Sequence, residues 1–366
     1  MLKTRIIFGI ILAVSLLLPA CSGTAGQEEE AESAISEAGP ALTDDEVKEE
    51  STAEEIETEE TVVAESEAEE SADERSGKDA SKDADLPSAS SEVIRLYYYG
   101  PSAMGVDPAG LPGAHNIYSA TSDDGINFYE DPGVRFSHDT GSDFGITDAD
   151  VVRLTDGSWL MFLSLGTQLL KATSPTSLGT FTLDDSFKWN RGGVPGSFNF
   201  NGTIRTFVCQ DGTIHTATYN QESGVLNYEG VALASPASGF IADPSVIQIE
   251  DSYLMFYKYA YSPATPPDEH EIYLSTSTDG IEWTQHEQNR FICTGSVPGA
   301  VYYDDIIYVY YCGLKYTPGS LPSDLGVAIS RDNGVTFTTS SAKIEGKKAT
   351  GVVDPSVIVI DSSEER

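Results

Sequence analysis

The stretch GVVDPSVIVID (residues 351–361) lies close to the C-terminus and repeats the core of an earlier stretch, GFIADPSVIQIEDSYLMFYKYA (239–260). In the earlier copy a second apolar run, YLMFYKY, follows and can pair back on the first as a neighbouring strand. In the later copy no such run follows. We therefore expect the last copy to be a first strand whose partners lie elsewhere in the chain.

Internal repeats supply those partners. Units of this type start near residues 147, 194, 242 and 297, and each contains four short β-rich runs in about 45–50 residues, the size of a propeller blade. Three units close with a turn motif: IYSATSDDGINF (117–128), IYLSTSTDGIEW (272–283) and VAISRDNGVTF (327–337).

Residues 93–136 hold the later strands of one more unit but lack its first strand. The C-terminal strand would complete that blade. Since long helical periodicity is missing, the sequence predicts an all-β fold over residues 92–366: a five-bladed β-propeller with ring closure by the C-terminal strand.

The first residues are typical of an export signal. A short basic start precedes an apolar run, IIFGIILAVSLLL, that ends in LPAC (18–21). This resembles the lipobox of bacterial lipoproteins, which implies a signal peptide over residues 1–20, lipidation of Cys21, and an exported protein anchored by lipid to a bacterial membrane in the cell envelope. The alternative is an ordinary cleaved signal peptide with an incidental cysteine.

Residues 21–91 are rich in Glu, Asp, Ala, Ser and Thr and contain no aromatic residue. Low hydrophobicity and high like charge predict a disordered acidic linker. The formal net charge of the whole chain is -37. Because nucleic-acid binding depends on Lys and Arg contacts to phosphate, this composition argues against a nucleic-acid partner.

The segment FIADPSVIQIEDSYLMFY resembles the opening blade of glycoside hydrolase family 43, the arabinanases and xylosidases. The turn from Ser277 to Trp283 matches a pattern, S-x-D-G-x-x-W, that is common in this family and in five-bladed relatives such as the family 32 fructosidases. The resemblance implies a carbohydrate substrate and carboxylate acid–base chemistry by two Asp and one Glu. Sialidases share a similar turn, but they need an arginine triad, and Arg is scarce here.

Aligning the units places five residues at the mouth of the central channel, in the order Asp354, Asp148, Pro195, Asp243 and Pro298. Three carboxylates would therefore converge on one axis. The resemblance implies that Asp243 is the general base, with Asp148 and Asp354 beside it. The Glu-Gly-Pro motif that carries the family's acid is missing, so Asp354 or a loop residue such as Glu269 or Glu271 is the candidate acid. The alternatives are that the three Asp only cap strand turns, or that they bind calcium or another ligand.

Long loops between second and third strands fall on the same face as this mouth, at residues 100–116, 261–271 and 313–324. Loops on one face of a rigid scaffold usually carry binding residues. The candidates for substrate binding are Asp107, His115, His270 and Tyr316.

The three aligned acidic residues favour a glycosidase that is exported and anchored to the membrane. The alternatives are a carbohydrate-binding propeller without catalysis and a protein-interaction propeller. The sequence predicts no cofactor, with calcium in the central channel as the alternative. It also predicts a monomer. Three cysteines remain besides Cys21. A Cys293–Cys312 disulfide is a hypothesis, and Cys209 is predicted to be a small buried side chain.

Overall fold

A computed structural model describes residues 92–100, 115–138, 146–312, 325–347 and 351–365. The predicted signal peptide, Cys21, the acidic linker, Asp107 and Tyr316 lie outside the described residues. Among the described residues, no helix is long and apolar enough to span a membrane.

The described part is built almost entirely of strands, which form five blades. Pairing within each blade is antiparallel, and a short parallel pairing of residues 343–345 with residues 127–129 joins the last and first blades into one nine-stranded sheet. Blade I contains β1 (Glu92–Tyr99), β2 (His115–Ser122), β3 (Asn127–Glu130), β4 (Phe136–His138) and, from the C-terminus, β21 (Val353–Asp361). Blade II contains β5 (Thr147–Arg153), β6 (Trp159–Leu165), β7 (Gln168–Ser174) and β8 (Thr182–Leu183).

Blade III contains β9 (Gly193–Phe200), β10 (Thr203–Gln210), β11 (Thr213–Asn220) and β12 (Val225–Leu233). Blade IV contains β13 (Phe240–Ile249), β14 (Ser252–Ala260), β15 (Glu271–Ser277) and β16 (Arg290–Thr294). Blade V contains β17 (Ser296–Tyr303), β18 (Ile306–Cys312), β19 (Leu325–Ser330) and β20 (Thr338–Glu345). Short 3₁₀ helices lie at Pro267–Glu269, His286–Gln288 and Ser362–Glu365.

The predicted ring closure is confirmed. Strand β21 pairs antiparallel with β1, with Asp361 opposite Glu92 and Val357 opposite Leu96. The innermost strands β5, β9, β13, β17 and β21 each contact the next, and β21 contacts β5, so the circle is complete. Full closure leaves no inner strand edge open to an outside partner.

Every innermost strand is bulged at the same point. In each of the five, the pairing register with the second strand shifts there, and one residue other than glycine has a positive φ near 50–55°. These residues are Asp148, Val194, Asp243, Val297 and Asp354. Val194 and Val297 therefore occupy the positions predicted for Pro195 and Pro298. That part of the alignment was wrong by one residue.

The two valines show what sets this backbone bend. A positive φ is unusual for any residue other than glycine, and a β-branched side chain tolerates it worst. Since valine adopts it in blades III and V, the architecture of the bulge imposes the bend, and an Asp is not needed to form it. A bulge of this kind re-aims the side chain at the end of a strand.

Directly below the bulges, each inner strand is joined to the next. The backbone N–H of Val151 donates to Ser356 Oγ at 3.3 Å, and that of Ala300 donates to Ser245 Oγ at 2.9 Å. At two other junctions, glycines allow a close backbone approach: a Cβ on Gly196 would collide with the carbonyl oxygen of Pro244, and one on Gly299 with that of Pro355.

Gly196→Ala should therefore lower the free energy of unfolding by about 2–3 kcal/mol, because the two inner strands must move apart to admit a methyl group. Urea unfolding at neutral pH measures this loss. Val335→Ala, at a side chain that is 61% exposed, is the control and should change stability by less than about 0.5 kcal/mol. Equal stability of the Gly196 variant and the parent would contradict the close approach.

Apolar side chains fill the space between neighbouring blades. Leu160 and Phe162 on β6 pack against Ile204 and Val208 on β10, for example, and all four are fully buried. The recurring Asp-Gly turns have a structural role. Asp279 Oδ1 accepts backbone hydrogen bonds from Ile281 and Glu282 at 2.8 and 2.9 Å.

Candidate active site in the central channel

The three predicted aspartates meet at one end of the central channel. The backbone N–H of Asp148 donates to Asp354 Oδ2 at 3.4 Å across the junction of blades I and II. Asp243 of blade IV lies in the wall of the same cavity, which has a volume of about 350 Å³. The valines of blades III and V complete the circle. The layer therefore has three acidic and two apolar members.

Asp243 differs from the other two carboxylates because it has a buried counter-ion. Lys258 Nζ forms an ion pair with Asp243 Oδ2, and the two side chains are only 1% and 2% exposed. Burial alone would lower the pKa of Lys258, but the charge of Asp243 and its hydrogen bond outweigh burial and raise it. The ammonium group therefore stays charged at the centre of the site.

Sequence reasoning missed Lys258. It lies in the otherwise buried run YLMFYKYA, in register with Ala242 immediately before the bulge residue Asp243. A single lysine in a fully apolar strand was the available signal, because a buried ammonium group requires a carboxylate partner.

Asp148 and Asp354 are partly exposed to the cavity, and both have elevated pKa values. Burial, followed by the charge of Asp243, raises the pKa of Asp148 to about 6, although Thr147 Oγ1 donates to Asp148 Oδ2 at 2.6 Å and opposes the shift. Burial, followed by the charges of Asp148 and Asp243, raises the pKa of Asp354 well above its usual range. Like charges this close cannot all be ionised at low cost.

This elevation predicts a pH-dependent stability. A carboxyl whose pKa is raised on folding stabilises the protein fully below pH 4, and that stability is lost as the pH rises through about 6. Asp148→Asn should therefore gain about 2 kcal/mol relative to the parent between pH 4 and pH 8, a value reduced for the group's partial exposure. Urea unfolding of both proteins at the two pH values measures the difference. A constant difference would contradict the raised pKa.

A fourth carboxyl, Asp150, lines the channel one layer deeper and was also missed. Burial raises its pKa to about 7, against hydrogen bonds from Ser197. Its Oδ2 atom has no hydrogen-bond partner among the residues that the structure describes. Its position in TDADVV, two residues after Asp148, equals that of Ser245 and Ser356 in their blades.

Around the bulges lies a second circle of side chains from the second strands: Tyr99, Ser164, Cys209, Lys258 and Cys312. Several of them hold the backbone of the next blade. Val194 N donates to Ser164 Oγ at 2.6 Å, and the backbones of Asp243 and Asp354 hydrogen-bond Cys209 and Cys312. Burial raises the pKa of both thiols, which makes them unreactive.

The proposed Cys293–Cys312 disulfide was wrong, and all three described cysteines are free. Cys293 hydrogen-bonds and packs with Tyr311, the residue before Cys312 on β18. Successive side chains of a strand point to opposite faces. Cys312 therefore points away from Cys293, and its Sγ donates to the carbonyl of Ser296 at 3.4 Å.

Of the loop candidates, the structure describes the side chains of His270 and Glu271, and neither lines the cavity that contains the three aspartates. His270 is 1% exposed, its Nδ1 lies 2.9 Å from Ser296 Oγ, and its Nε2 lies 3.0 Å from the carbonyl oxygen of Thr265. Burial, followed by the charge of Lys258, lowers its pKa to about 4. Both nitrogens are occupied, so His270 fixes its loop to blade V. His115 is the first residue of β2, and its side chain is not among those that the structure describes.

Glu271 does not line the channel; its two oxygens accept from Tyr261 and Tyr273. No group of three or more His, Cys, Asp or Glu side chains in the described residues is arranged to hold a metal ion. A cation does lie among the three aspartates, in the form of the Lys258 ammonium group.

No protein-family model and no curated protein matches the sequence. Solved structures do match the fold. An endo-1,4-beta-xylanase from Bacteroides thetaiotaomicron superposes with a TM-score of 0.51 at 15% identity, over 72% of this chain and 97% of that one. An alpha-L-arabinofuranosidase of family 43 from Clostridium thermocellum gives 0.46 at 15% identity over 71% and 92%.

An alpha-L-arabinanase from Cellvibrio cellulosa, solved with arabinohexaose, gives a TM-score of 0.46 at 13% identity over 72% and 95%. At these identities the comparison speaks to the fold alone. The folded part of this chain therefore has the β-propeller fold of the Bacteroides xylanase, the fold that the sequence resemblance to glycoside hydrolase family 43 implied.

Proposed function

We propose that the protein hydrolyses a glycan by acid–base chemistry between Asp354 and Asp148. The observation that carries this proposal is their juxtaposition in one cavity, 3.4 Å from backbone N–H to carboxylate, with both pKa values raised. Environments that separate the pKa values of neighbouring carboxyls mark one as the acid and the other as the base. The similar xylanase fold supports a glycan as the substrate class.

In this mechanism, Asp354, whose pKa is raised well above its usual range, is the acid. It donates its proton to the glycosidic oxygen as the bond from that oxygen to the anomeric carbon breaks. Asp148, with a pKa of about 6, is ionised above that pH and accepts a proton from the attacking water. The water oxygen forms the new bond to the anomeric carbon. The buried ion pair of Asp243 and Lys258 lies next to Asp148 and Asp354 and keeps both of its own charges in place.

This assignment differs from the sequence-based hypothesis that Asp243 is the base. Asp243 is 3% exposed and is bound to Lys258, whereas Asp148 and Asp354 face the cavity. A base must reach the water that it activates. Asp243 is better placed to tune its neighbours than to contact a substrate.

The test is a hydrolysis screen with aryl arabinosides, xylosides, fructosides and galactosides. Asp148→Asn and Asp354→Asn should each lower kcat/KM by about 10²–10⁴ on any substrate that the parent cleaves. Asp251→Asn, at an exposed turn, is the matched control and should keep the parent rate. Hydrolysis that survives both active-site variants would refute the assignment.

Two observations favour a second function, glycan binding without turnover. Val194 and Val297 occupy two of the five mouth positions, and the sequence has no Glu-Gly-Pro motif to supply an acid. Folded parent protein that cleaves no substrate in the screen, yet binds a glycan on an array, would support this function and overturn the first.

We also propose export and lipid anchoring through Cys21, on the strength of the LPAC sequence at residues 18–21. In a bacterial host, the parent should partition with membranes and carry acyl chains on a mature N-terminal cysteine. Cys21→Ser should remove both the acyl mass and the membrane fraction. An unmodified parent in mass spectrometry would contradict the proposal.

A further inference from the structure

A strip of aromatic side chains lies on the flank of blade IV, away from the channel. Tyr261 is 61% exposed and Phe291 is 49% exposed, and Tyr273 lies partly exposed between them. Together with Glu271 these residues are called the aromatic strip. Large apolar side chains that cluster in the open usually mark a binding surface.

Strand geometry makes the strip continuous. Glu271 and Tyr273 are two residues apart on β15 and so share a face, and Phe291 on β16 is paired directly with Tyr273. The Tyr273 and Phe291 rings lie 5.9 Å apart between centroids, at 71°. Glu271 joins the other end, where its two oxygens accept from the hydroxyls of Tyr261 at 3.4 Å and Tyr273 at 3.2 Å.

The buried ring of Tyr259 and the half-buried ring of His286 support the strip. Tyr259, only 4% exposed, meets Tyr261 edge-on at 5.0 Å between centroids. The His286 ring lies 4.5 Å from that of Tyr259 and 4.6 Å from that of Tyr273. The exposed rings are therefore fixed before a ligand arrives, which reduces the entropy lost on binding.

We propose that the aromatic strip is a second binding site for a neutral glycan. A sugar ring has apolar C–H faces and a rim of hydroxyl groups, so it matches exposed rings on either side of a carboxylate acceptor. The strongly negative chain disfavours anionic polymers. The choice of a glycan rests on the function proposed above, whereas the strip itself is independent of the channel.

The position of the strip suits a polymeric ligand. Tyr261 follows Lys258 by three residues at the mouth end of β14, about 10 Å along an extended chain. A glycan whose end enters the cavity can therefore extend over the strip. The site would then add affinity for polymers that short substrates do not gain.

The test uses affinity electrophoresis and calorimetry of the full chain carrying Asp354→Asn, which prevents cleavage from altering the ligand. The probes are arabinan, xylan, galactan and the anionic polygalacturonate. Tyr261→Ala and Phe291→Ala should each weaken neutral-polymer binding about tenfold. Tyr261→Phe should retain binding within about threefold, because the ring remains.

Tyr129→Ala is the matched control, since Tyr129 is 59% exposed on β3 of blade I, and it should bind as the parent does. Equal binding by the parent and both alanine variants would overturn the proposal. So would the absence of any bound neutral polymer, or tighter binding of polygalacturonate than of the neutral polymers.

Aryl-glycoside hydrolysis by the wild-type chain reports on the cavity separately. Polymer binding that depends on the strip, together with no hydrolysis, would support this site and contradict the proposed catalysis. Hydrolysis, together with polymer binding that is unchanged in the Tyr261 and Phe291 variants, would support the proposed catalysis and contradict the second binding site.

Discussion

Replacing Lys258 with methionine is expected to lower the free energy of unfolding by about 3–5 kcal/mol. The ammonium group of Lys258 and the carboxylate of Asp243 are both almost completely buried, so the substitution leaves an uncompensated charge inside the protein. Methionine retains most of the side-chain volume, which separates the loss of charge from the loss of packing. Urea unfolding at pH 7 measures the change.

The double variant Lys258→Met/Asp243→Leu is the control. Replacing a buried ion pair with apolar side chains of similar size is often close to neutral, so this variant should recover most of the lost stability. If the single and double variants are equally destabilised, the pair is not coupled. A single variant as stable as the parent would contradict the expected cost of an uncompensated buried charge.

Removing β21 is expected to have a still larger effect. A chain that ends at Lys347 lacks the innermost strand of blade I, and β1 loses the partner that runs beside it from Glu92 to Tyr99. Ile94 and Leu96, fully buried in the intact protein, would then lie on an open edge. We expect no cooperative unfolding transition and aggregation during purification, measured by circular dichroism and light scattering.

A circular permutant keeps every strand and moves the break. Joining the C-terminus to Glu92 through a flexible linker and opening the chain between Asn190 and Arg191, both exposed, retains β21 in place. This variant should unfold cooperatively within a few degrees of the parent Tm. A truncated chain that melts like the parent would contradict the contribution of ring closure.

The fold was predictable because short sequence motifs recur at the same place in several blades. The Asp-Pro-Ser-Val copy near the C-terminus identified the closing strand, and the structure pairs it with β1 as expected. The alignment failed only at Pro195 and Pro298, which correspond to Pro244 and Pro355 and follow the positive-φ residue by one position. Side-chain alternation explains why the predicted disulfide was wrong. Tyr311 points towards Cys293, so the next residue, Cys312, points to the opposite face of the strand.

The site was predictable in part. Alignment of the blades brought Asp148, Asp243 and Asp354 to one layer, where the structure places them. Which carboxylate faces the cavity and which is paired with a cation depends on Lys258, which lies on the neighbouring strand β14. The role of Lys258 could not be predicted from a sequence motif. Glu271, predicted near the chemistry, lies instead among the tyrosines of the aromatic strip, because β15 is the third strand outward from the axis.

The valines at the bulges of blades III and V have a consequence for how such a protein evolves. The backbone there keeps one shape whether the residue is Asp or Val, so a single codon change can exchange the chemical group without redesigning the scaffold. Five positions with equivalent backbone geometry can then carry different side chains around one axis. Descendants of a common ancestor can differ in which positions are acidic and still share every strand.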